Sequence, residues 1–468
     1  MYLFKNLKNR HHNLYFILGS ALCGAISIIT IPSLTWIYSV KTIGVYAIFV
    51  AAVGLFSTLF SFAIEQYVIR NYYHEEPQEL INKAISLSMI VSTGIILISV
   101  LFFNEISTFI FNDNNNVIGF VILILCSIFN MIFKYTSLIL RMERESFFFS
   151  ITQIFQRAII LLLSLGVIYF IDKDDRSWLD IISIHTFSIF FIVIFQIFLV
   201  NTSTKIDFFK FTIINRLDFK KIFYYSYPLL FSVLILWGMS SIDKVAIKMY
   251  LSSYDLGIYS NAYKFAAALI LFQQMISVIW VPTSMRWYKK NMPLNKYKSI
   301  FSFIVGITLF VYTLCIILLP YLKLLINDDF YASIKLIPII MIYPAFYIFS
   351  EFTNMGILFK EKTNYSIHIS IITIVVCVFL SIYLTKNYSV LGTAIAIAIS
   401  YMVFFITRTY YSIKVWNNIL SLTSVFGIII LILVCISYYY DFYLNIIVFI
   451  SFLYSIYLAL YNFRILKQ

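Results

Sequence analysis

Arg157 stands in the middle of an apolar run, SITQIFQRAIILL, with Gln153 one helical turn before it and Gln156 beside it. Residues four apart share a helix face, so Gln153 and Arg157 point the same way. A charge at the centre of a bilayer costs on the order of 3 kcal/mol, so it faces a polar cavity or a counter-charge on another helix. Both readings stand for Arg157. The segment WGMSSIDKVAIKMY places Asp243 and Lys244 a few residues inside the end of another run. Asp243 reads as a proton or cation site, as a gate partner for a distant Lys, or as a helix-end carboxylate neutralised by its neighbours. Lys264, two turns into NAYKFAAAL, lines a cavity, snorkels to the surface or pairs with a neighbour such as Asp243. Glu351 in YIFSEFTNMGILF is flanked by Ser350, Thr353 and Asn354, a polar cluster suited to a coupling proton or cation. Glu65, in FAIEQYVIR, lies near enough to the end of its run to reach water. Lys134, four residues after Asn130, reaches the interface or lines a cavity.

The rest of the chain explains why these charges matter. Of 468 residues, 62% are hydrophobic and only 12% charged, whereas soluble domains run near 25% charged. That composition excludes a water-soluble enzyme and a disordered or fibrous chain. At about 20 residues per membrane helix, the apolar positions supply roughly fourteen spans. The 47 Phe and 36 Tyr are spread through the apolar runs and reflect compositional bias. The net charge of +13 is carried by short loops and forms no basic groove, so no nucleic acid is expected. Cys23, Cys126, Cys315, Cys377 and Cys435 all fall inside runs, distant from one another and from any His pair, which supports neither a disulfide framework nor a zinc site.

The expected architecture is an all-α, polytopic membrane protein. Apolar runs place spans at 14–37, 43–64, 83–103, 117–141, 146–171 and 179–200, then 224–248, 256–283, 299–320, 334–358, 365–385 and 391–411, and finally 419–439 and 444–463. The first run follows Lys5, Lys8 and Arg10 without a small-residue cleavage site, which reads as an uncleaved span. The chain thus divides into a six-helix lobe (1–200), a linker (201–222), a second six-helix lobe (223–412) and two further helices (413–468). The lobes carry a parallel repeat: SVKTIGVY at 39–46 and SSYDLGIY at 252–259 lie 213 residues apart, each at the turn before the second helix of its set. Alternate loops hold 24 of the 34 Lys and Arg and the opposite loops 6, which places both termini in the cytoplasm. The linker, with Phe208, Phe209 and Phe211 among Lys205, Lys210 and Arg216, lies along the inner membrane surface or serves as a plain tether. Pro32, Pro228, Pro282, Pro338 and Pro344 are the positions at which kinks are expected, some of them marking helix starts.

Outer loops are short, the longest running from Asn104 to Asn116, so no extended loop is available to hold two substrates of a membrane glycosyltransferase or polymerase. A phosphate-cradling GxxxxGK loop is missing, so no ATP hydrolysis and no cofactor are expected.

The stretch from Tyr225 to Tyr288 resembles the multidrug/oligosaccharidyl-lipid/polysaccharide exporter superfamily, and within it the O-antigen (Wzx-type) lipid-linked oligosaccharide flippases. The shared features are Pro228 at the start of the seventh helix, Asp243 near its outer end, the turn Gly257 to Tyr259, and Trp280 to Pro282 closing the eighth. IGVYAIFVA in the first lobe and YSVLGTAIAIAIS around Gly392 also fit. The resemblance implies two pseudo-symmetric lobes around a central cavity, in the inner membrane of a bacterium. It implies alternating access that moves a lipid-linked oligosaccharide of the undecaprenyl-pyrophosphate type to the outer leaflet, for O-antigen or capsule. Membrane lipids and a polysaccharide polymerase complex are the further partners it suggests, and a transporter is not an enzyme. A pyrophosphate needs cations, and Arg157 and Lys264, with Lys244 or Lys134, are the available ones, with Gln153 beside the first. Asp243, Glu351 and Glu65 are the candidates for ion coupling or gating. A small-molecule exporter of the same superfamily and a membrane polymerase are the rival readings.

Overall fold

A computed structural model describes residues 19, 22–27, 29–143, 145–204, 206–208, 215–362, 364–440 and 443–467. The described chain is built from helices, in two compact units, Met1–Lys248 and Met249–Gln468. The first unit holds α1 (Leu22–Ile37), α2 (Val40–Ser61), α3 (Ile64–Asn71), α4 (Pro77–Leu101), α5 (Phe103–Phe111), α6 (Val117–Met142), α7 (Ser146–Phe170), α8 (Trp178–Ser203) and α9 (Arg216–Tyr250) as far as Lys248. The second holds α10 (Ser253–Lys289), α11 (Leu294–Leu318), α12 (Tyr331–Ile334), α13 (Ile337–Thr353), α14 (Met355–Phe359), α15 (Asn364–Val415), α16 (Leu422–Tyr440) and α17 (Leu444–Lys467).

Among the described residues, ten helices are long and apolar enough to cross a membrane. The pair Asp328–Ile334 and Ile337–Phe359, bent by 47°, is an eleventh candidate. The expected eleventh and twelfth spans are both in α15, which kinks at Tyr388 and Ser389, and the expected eighth is α10. The chain is a multi-pass membrane protein. Large apolar side chains stay uncovered along the span faces, Leu97, Phe198 and Phe379 among them, as lipid-facing positions require.

The repeat has a local physical basis. Ser39 begins α2 by accepting the Thr42 N–H (3.3 Å), and Ser252 begins α10 by accepting the Asp255 N–H (3.2 Å). The two coincident serines therefore supply the same N-cap. Asp255 completes the second copy by accepting the Ser252 N–H (3.1 Å), a reciprocal box that the first copy lacks.

The breaks match the prolines only in part, the 47° bend before α13 falling next to Pro338. Pro228 and Pro344 lie inside continuous helices, and Pro338 sits in the first turn of α13. The second span instead breaks between α2 and α3, where Phe62 and Ala63 both take left-handed backbone (φ 49° and 54°). Such residues cost roughly 1–3 kcal/mol each and persist only where surrounding structure dictates them. Ala63 and Ile64 are wholly buried, so the interrupted backbone is covered by protein rather than lipid. The expected loop from Asn104 to Asn116 is largely the helix α5, closed by Asn112 in the left-handed region (φ 60°).

Helix α9 is fastened along the first unit at three levels. At its start, Lys221 bonds Glu75 (2.7 Å), while Lys83 bridges Asp218 (2.8 Å) and Glu79 (2.6 Å). Just beyond, Phe223 stacks on Phe62 at 5.1 Å and Arg70 covers the Tyr225 ring at 5.1 Å. Midway, the Trp237 indole donates to the Ala51 carbonyl (3.0 Å), and at the far end Lys248 donates to Asn112 (2.6 Å). The linker joins the same face. Gln78 donates to the Asp207 carbonyl (2.8 Å) and accepts its N–H (2.6 Å), with Ile206 and Phe208 buried. Linker residues 205 and 209–214, and with them Lys205, Lys210, Phe209 and Phe211, lie outside the described residues, as do Lys5, Lys8, Arg10 and Arg144.

In the second unit, α16 and α17 pack on α11. Gly306 and Gly427 allow that approach: a Cβ on either would strike Leu458 or Val305. Ser302 bonds Ser421 (2.7 Å) and Thr313 bonds Ser451 (2.9 Å) across the same seams. At the α15 kink, Ser389 takes φ 55° and Gly392 lies against the Leu384 carbonyl so closely that no Cβ fits.

Gly392→Ala lowers stability by about 2 kcal/mol or more, because its methyl meets backbone that cannot yield, whereas Gly94→Ala, with open space at its Cβ, stays within about 0.5 kcal/mol. Thermal unfolding in detergent measures both. Burial pushes the Glu75 carboxyl up, but hydrogen bonds from Lys221 and Tyr67 prevail and hold it below its ordinary range. A lowered carboxylate stabilises the fold above the unfolded value and loses that contribution as pH falls through the folded one. Glu75→Gln should therefore cost about 0.5–1 kcal/mol at neutral pH, and its deficit relative to wild type should close as pH falls below about 4.

Candidate functional site

The charges inside the spans fall in both units. In the first, Arg157 is exposed near the middle of α7, and Gln153, half-buried, lies one turn away. The Arg157 guanidinium is within electrostatic reach of the Cys23 thiol on α1 and the Tyr46 hydroxyl on α2. Tyr46 in turn hydrogen-bonds Nδ1 of His185 on α8 (2.8 Å), and the two rings meet edge to face at 5.6 Å. Phe49 closes on the same imidazole at 6.4 Å. Arg157, Tyr46 and His185 thus form a run of polar side chains across α7, α2 and α8.

Lys134 lies on a different part of the unit. Its ammonium donates to the Thr58 hydroxyl (3.2 Å), and Asn130 donates to Ser57 (3.3 Å), so α6 is tied to α2 just before the break. Glu65 follows the break, within electrostatic reach of Lys134, and its Oε2 is enclosed without a hydrogen-bond partner. On α9, Asp243 is buried and accepts from its own neighbour Lys244, through the amide (2.8 Å) and the ammonium (3.3 Å). Lys244 also donates to the Ser240 carbonyl (2.9 Å).

In the second unit, Lys264 is half-buried on α10 beside Tyr263, whose ring stacks on Tyr343 of α13 at 6.0 Å. Tyr343 meets Tyr401 of α15 at 4.1 Å, so tyrosines link three helices. Glu351 is ion-paired: Arg408 of α15 donates to it (2.8 Å) and to Ser350 (3.0 Å), with the guanidinium 4.6 Å from the Phe404 ring centre. Thr409 donates to Thr353 (2.8 Å) and Ser412 accepts the Gly356 N–H (2.9 Å), completing a polar seam between α13–α14 and α15.

Of the residues singled out from the sequence, the structure groups Lys134 with Glu65, Asp243 with Lys244 and Gln153 with Arg157, and it gives Glu351 a partner in Arg408. Lys264 and Glu351 belong to the second unit and the other six to the first. His185, Tyr46 and Arg408 are not marked as site residues by the sequence pattern. The lone histidine in IISIHTFSIFF was a visible signal; Arg408 looked like an ordinary charge at a span end. Among the described residues, no group of three or more His, Cys, Asp or Glu is placed to hold a metal ion.

Residues 12–287 match the family described as polysaccharide biosynthesis protein. Over 203 residues the chain is 28% identical to the capsular polysaccharide biosynthesis protein CapF of Staphylococcus aureus, a match covering 42% of this chain and 51% of that relative. The chain thus spans about half the length of that curated relative. Among solved structures, an inward-facing multidrug resistance MATE family transporter of the MOP superfamily aligns with a TM-score of 0.65 at 13% identity, covering 84% of this chain and 94% of that one. The lipid II flippase MurJ in an inward closed conformation aligns over the full length of both chains, with a TM-score of 0.57 and 13% identity. At these identities the structural likeness is one of fold.

Removing one member of the Glu351–Arg408 pair leaves its partner uncompensated, which should cost about 1–3 kcal/mol at this partial exposure. Glu351→Ala and Arg408→Ala should each lower the unfolding midpoint, and the double variant should fall well short of their sum. A double-mutant cycle with a coupling energy of about 1 kcal/mol or more is the expected outcome.

Proposed function

Because this chain belongs to the polysaccharide biosynthesis protein family, we propose that it is a flippase for isoprenoid-diphosphate-linked oligosaccharide repeat units. It moves them by alternating access from the cytoplasmic to the outer leaflet of a bacterial plasma membrane, for assembly of a surface polysaccharide. It is a transporter and not an enzyme, and both termini lie in the cytoplasm. The observation that carries this reading is Arg157, exposed at mid-span with Gln153 on the same face. A lipid-linked glycan has a greasy tail that stays in the bilayer and a dianionic link that must cross it. A guanidinium presents several donors in a planar fork that suits diphosphate oxygens. Lys264 and Lys134, both half-buried within spans, add positive charge in each unit. Asp243 and Glu351 respond to the passage of the substrate through their ion pairs, as gates rather than as free carboxylates.

Deletion of the gene tests this. Lipid-linked repeat units should accumulate on the cytoplasmic leaflet and surface glycan should fall, with export restored by the wild-type chain. Arg157→Ala should restore at most about a tenth of it, and Arg157→Lys an intermediate amount, since a Lys keeps the charge without the fork. Single repeat units reaching the surface unpolymerised would point to a polymerase, and an unchanged glycan to export of a small molecule.

A further inference from the structure

Where α10 turns into α11, at one end of the second unit, lies a half-open cavity of about 200 Å³. Its aromatic walls come from three places in the sequence: Tyr288 near the end of α10, Tyr297 in the first turn of α11 and Trp416 just after α15. Phe359, the last residue of α14, holds them: it stacks on Tyr288 at 4.3 Å and meets Trp416 edge to face at 4.8 Å, while Trp416 meets Tyr297 at 5.1 Å. Rings fixed by one another in this way lose little freedom when a ligand arrives.

The polar part of the lining is Asn291 and Asn417, both exposed, on turns that the backbone fixes. Asn291 takes left-handed backbone (φ 51°), which Asn adopts more readily than most residues. Its N–H donates to the Tyr288 carbonyl (3.0 Å) and that of Met292 to the Trp287 carbonyl (3.1 Å). Beside Asn417, the Trp416 N–H donates to the Ser412 carbonyl (2.9 Å) and the Asn418 side chain accepts the Leu420 N–H (2.8 Å). Tyr297 adds an observation of a different kind. The residue is 1% exposed, and its hydroxyl is enclosed without a hydrogen-bond partner. Proteins seldom leave a buried hydroxyl so.

The lining also restricts the charge of a ligand. None of the described residues lining the cavity is charged, although Lys289 and Lys290 directly follow Tyr288. A phosphate calls for cations and an ammonium for a carboxylate, so this lining suits a neutral molecule. Aromatic faces accept the apolar C–H face of a pyranose ring, and carboxamides and hydroxyls, which both donate and accept, match its hydroxyl rim. The volume lies below the roughly 300–1,000 Å³ of sites for drug-sized molecules, which limits the occupant to one ring.

We propose that this cavity binds a single neutral sugar ring, stacked on its aromatic walls and hydrogen-bonded by Asn291 and Asn417, with the Tyr297 hydroxyl taking its partner from the ligand. The transported repeat unit and a free sugar are the two sources of such a ring. Assignment to the repeat unit rests on the flippase reading, in which this end of the spans faces the cytoplasm, where the substrate is loaded. The site itself does not rest on it.

The test titrates the full chain in lipid nanodiscs with methyl glycosides of neutral hexoses, deoxyhexoses and N-acetylhexosamines, read by saturation-transfer NMR, with glycerophosphoethanolamine as a lipid-headgroup comparator. At least one glycoside should bind. Asn291→Ala and Asn417→Ala should each weaken it about threefold and together about tenfold. Tyr297→Phe, which keeps the ring and removes only the unpartnered hydroxyl, should weaken it about threefold without lowering thermal stability. A panel with no binder, a glycoside whose affinity ignores all three positions, or preference for glycerophosphoethanolamine would overturn the proposal. In cells, the Asn291→Ala/Asn417→Ala double variant should export several-fold less glycan than wild type. Wild-type export by a variant that no longer binds glycosides would overturn the assignment to the repeat unit and leave a free sugar as the ligand. Should deletion of the gene leave surface glycan unchanged, the flippase reading fails while the titration still decides the sugar site.

Discussion

Hydrocarbon tolerates neither a bare charge nor an unbonded backbone group, and the placement of polar atoms in this chain follows from that constraint. Asp243 and Glu351 sit beside cations, and Lys134 reaches a hydroxyl on the helix it faces. The irregular backbone at Phe62 and Ala63 is sealed within the first unit. Among the described in-span charges Arg157 differs in being left exposed at mid-span, and the proposed reading puts water beside it, since lipid would leave the charge unsolvated. On that reading, more than on any motif, rests the proposal of a polar cargo.

The same constraint shapes the packing. Helix α9 begins the second set of repeats in the sequence, yet it is bonded along the first unit at its start, middle and end. Ion pairs serve at the watery start, an indole-to-carbonyl bond in the apolar middle, and a Lys-to-Asn bond at the far end. Each tie suits its depth, since salt bridges are cheap to form where water remains and costly where it does not.

Much of the architecture was legible from the sequence because it rests on local signals. Apolar runs mark spans whatever their neighbours, and Ser39 and Ser252 mark helix starts through hydrogen bonds to residues three positions on. The breaks were not legible. Phe62, Ala63 and Ser389 have no intrinsic preference for left-handed backbone, and tertiary packing imposes it, while Pro228 and Pro344 are accommodated within helices. The pairings were hidden for the same reason: 57 residues separate Glu351 from Arg408, and 139 separate Tyr46 from His185. Composition can identify an intramembrane charge as significant, but only the fold shows what answers it.

The central claim is that Arg157 faces water at membrane depth and receives an anion there. With the five native cysteines replaced, a single cysteine at position 157 can be probed in membranes with a charged, membrane-impermeant thiol reagent. The account predicts prompt labelling by the charged reagent, slowed by lipid-linked repeat units and by inorganic diphosphate at Arg157-containing controls placed one turn away, at position 153. Labelling by an apolar maleimide alone, with the charged reagent excluded, would place the residue in lipid and contradict it.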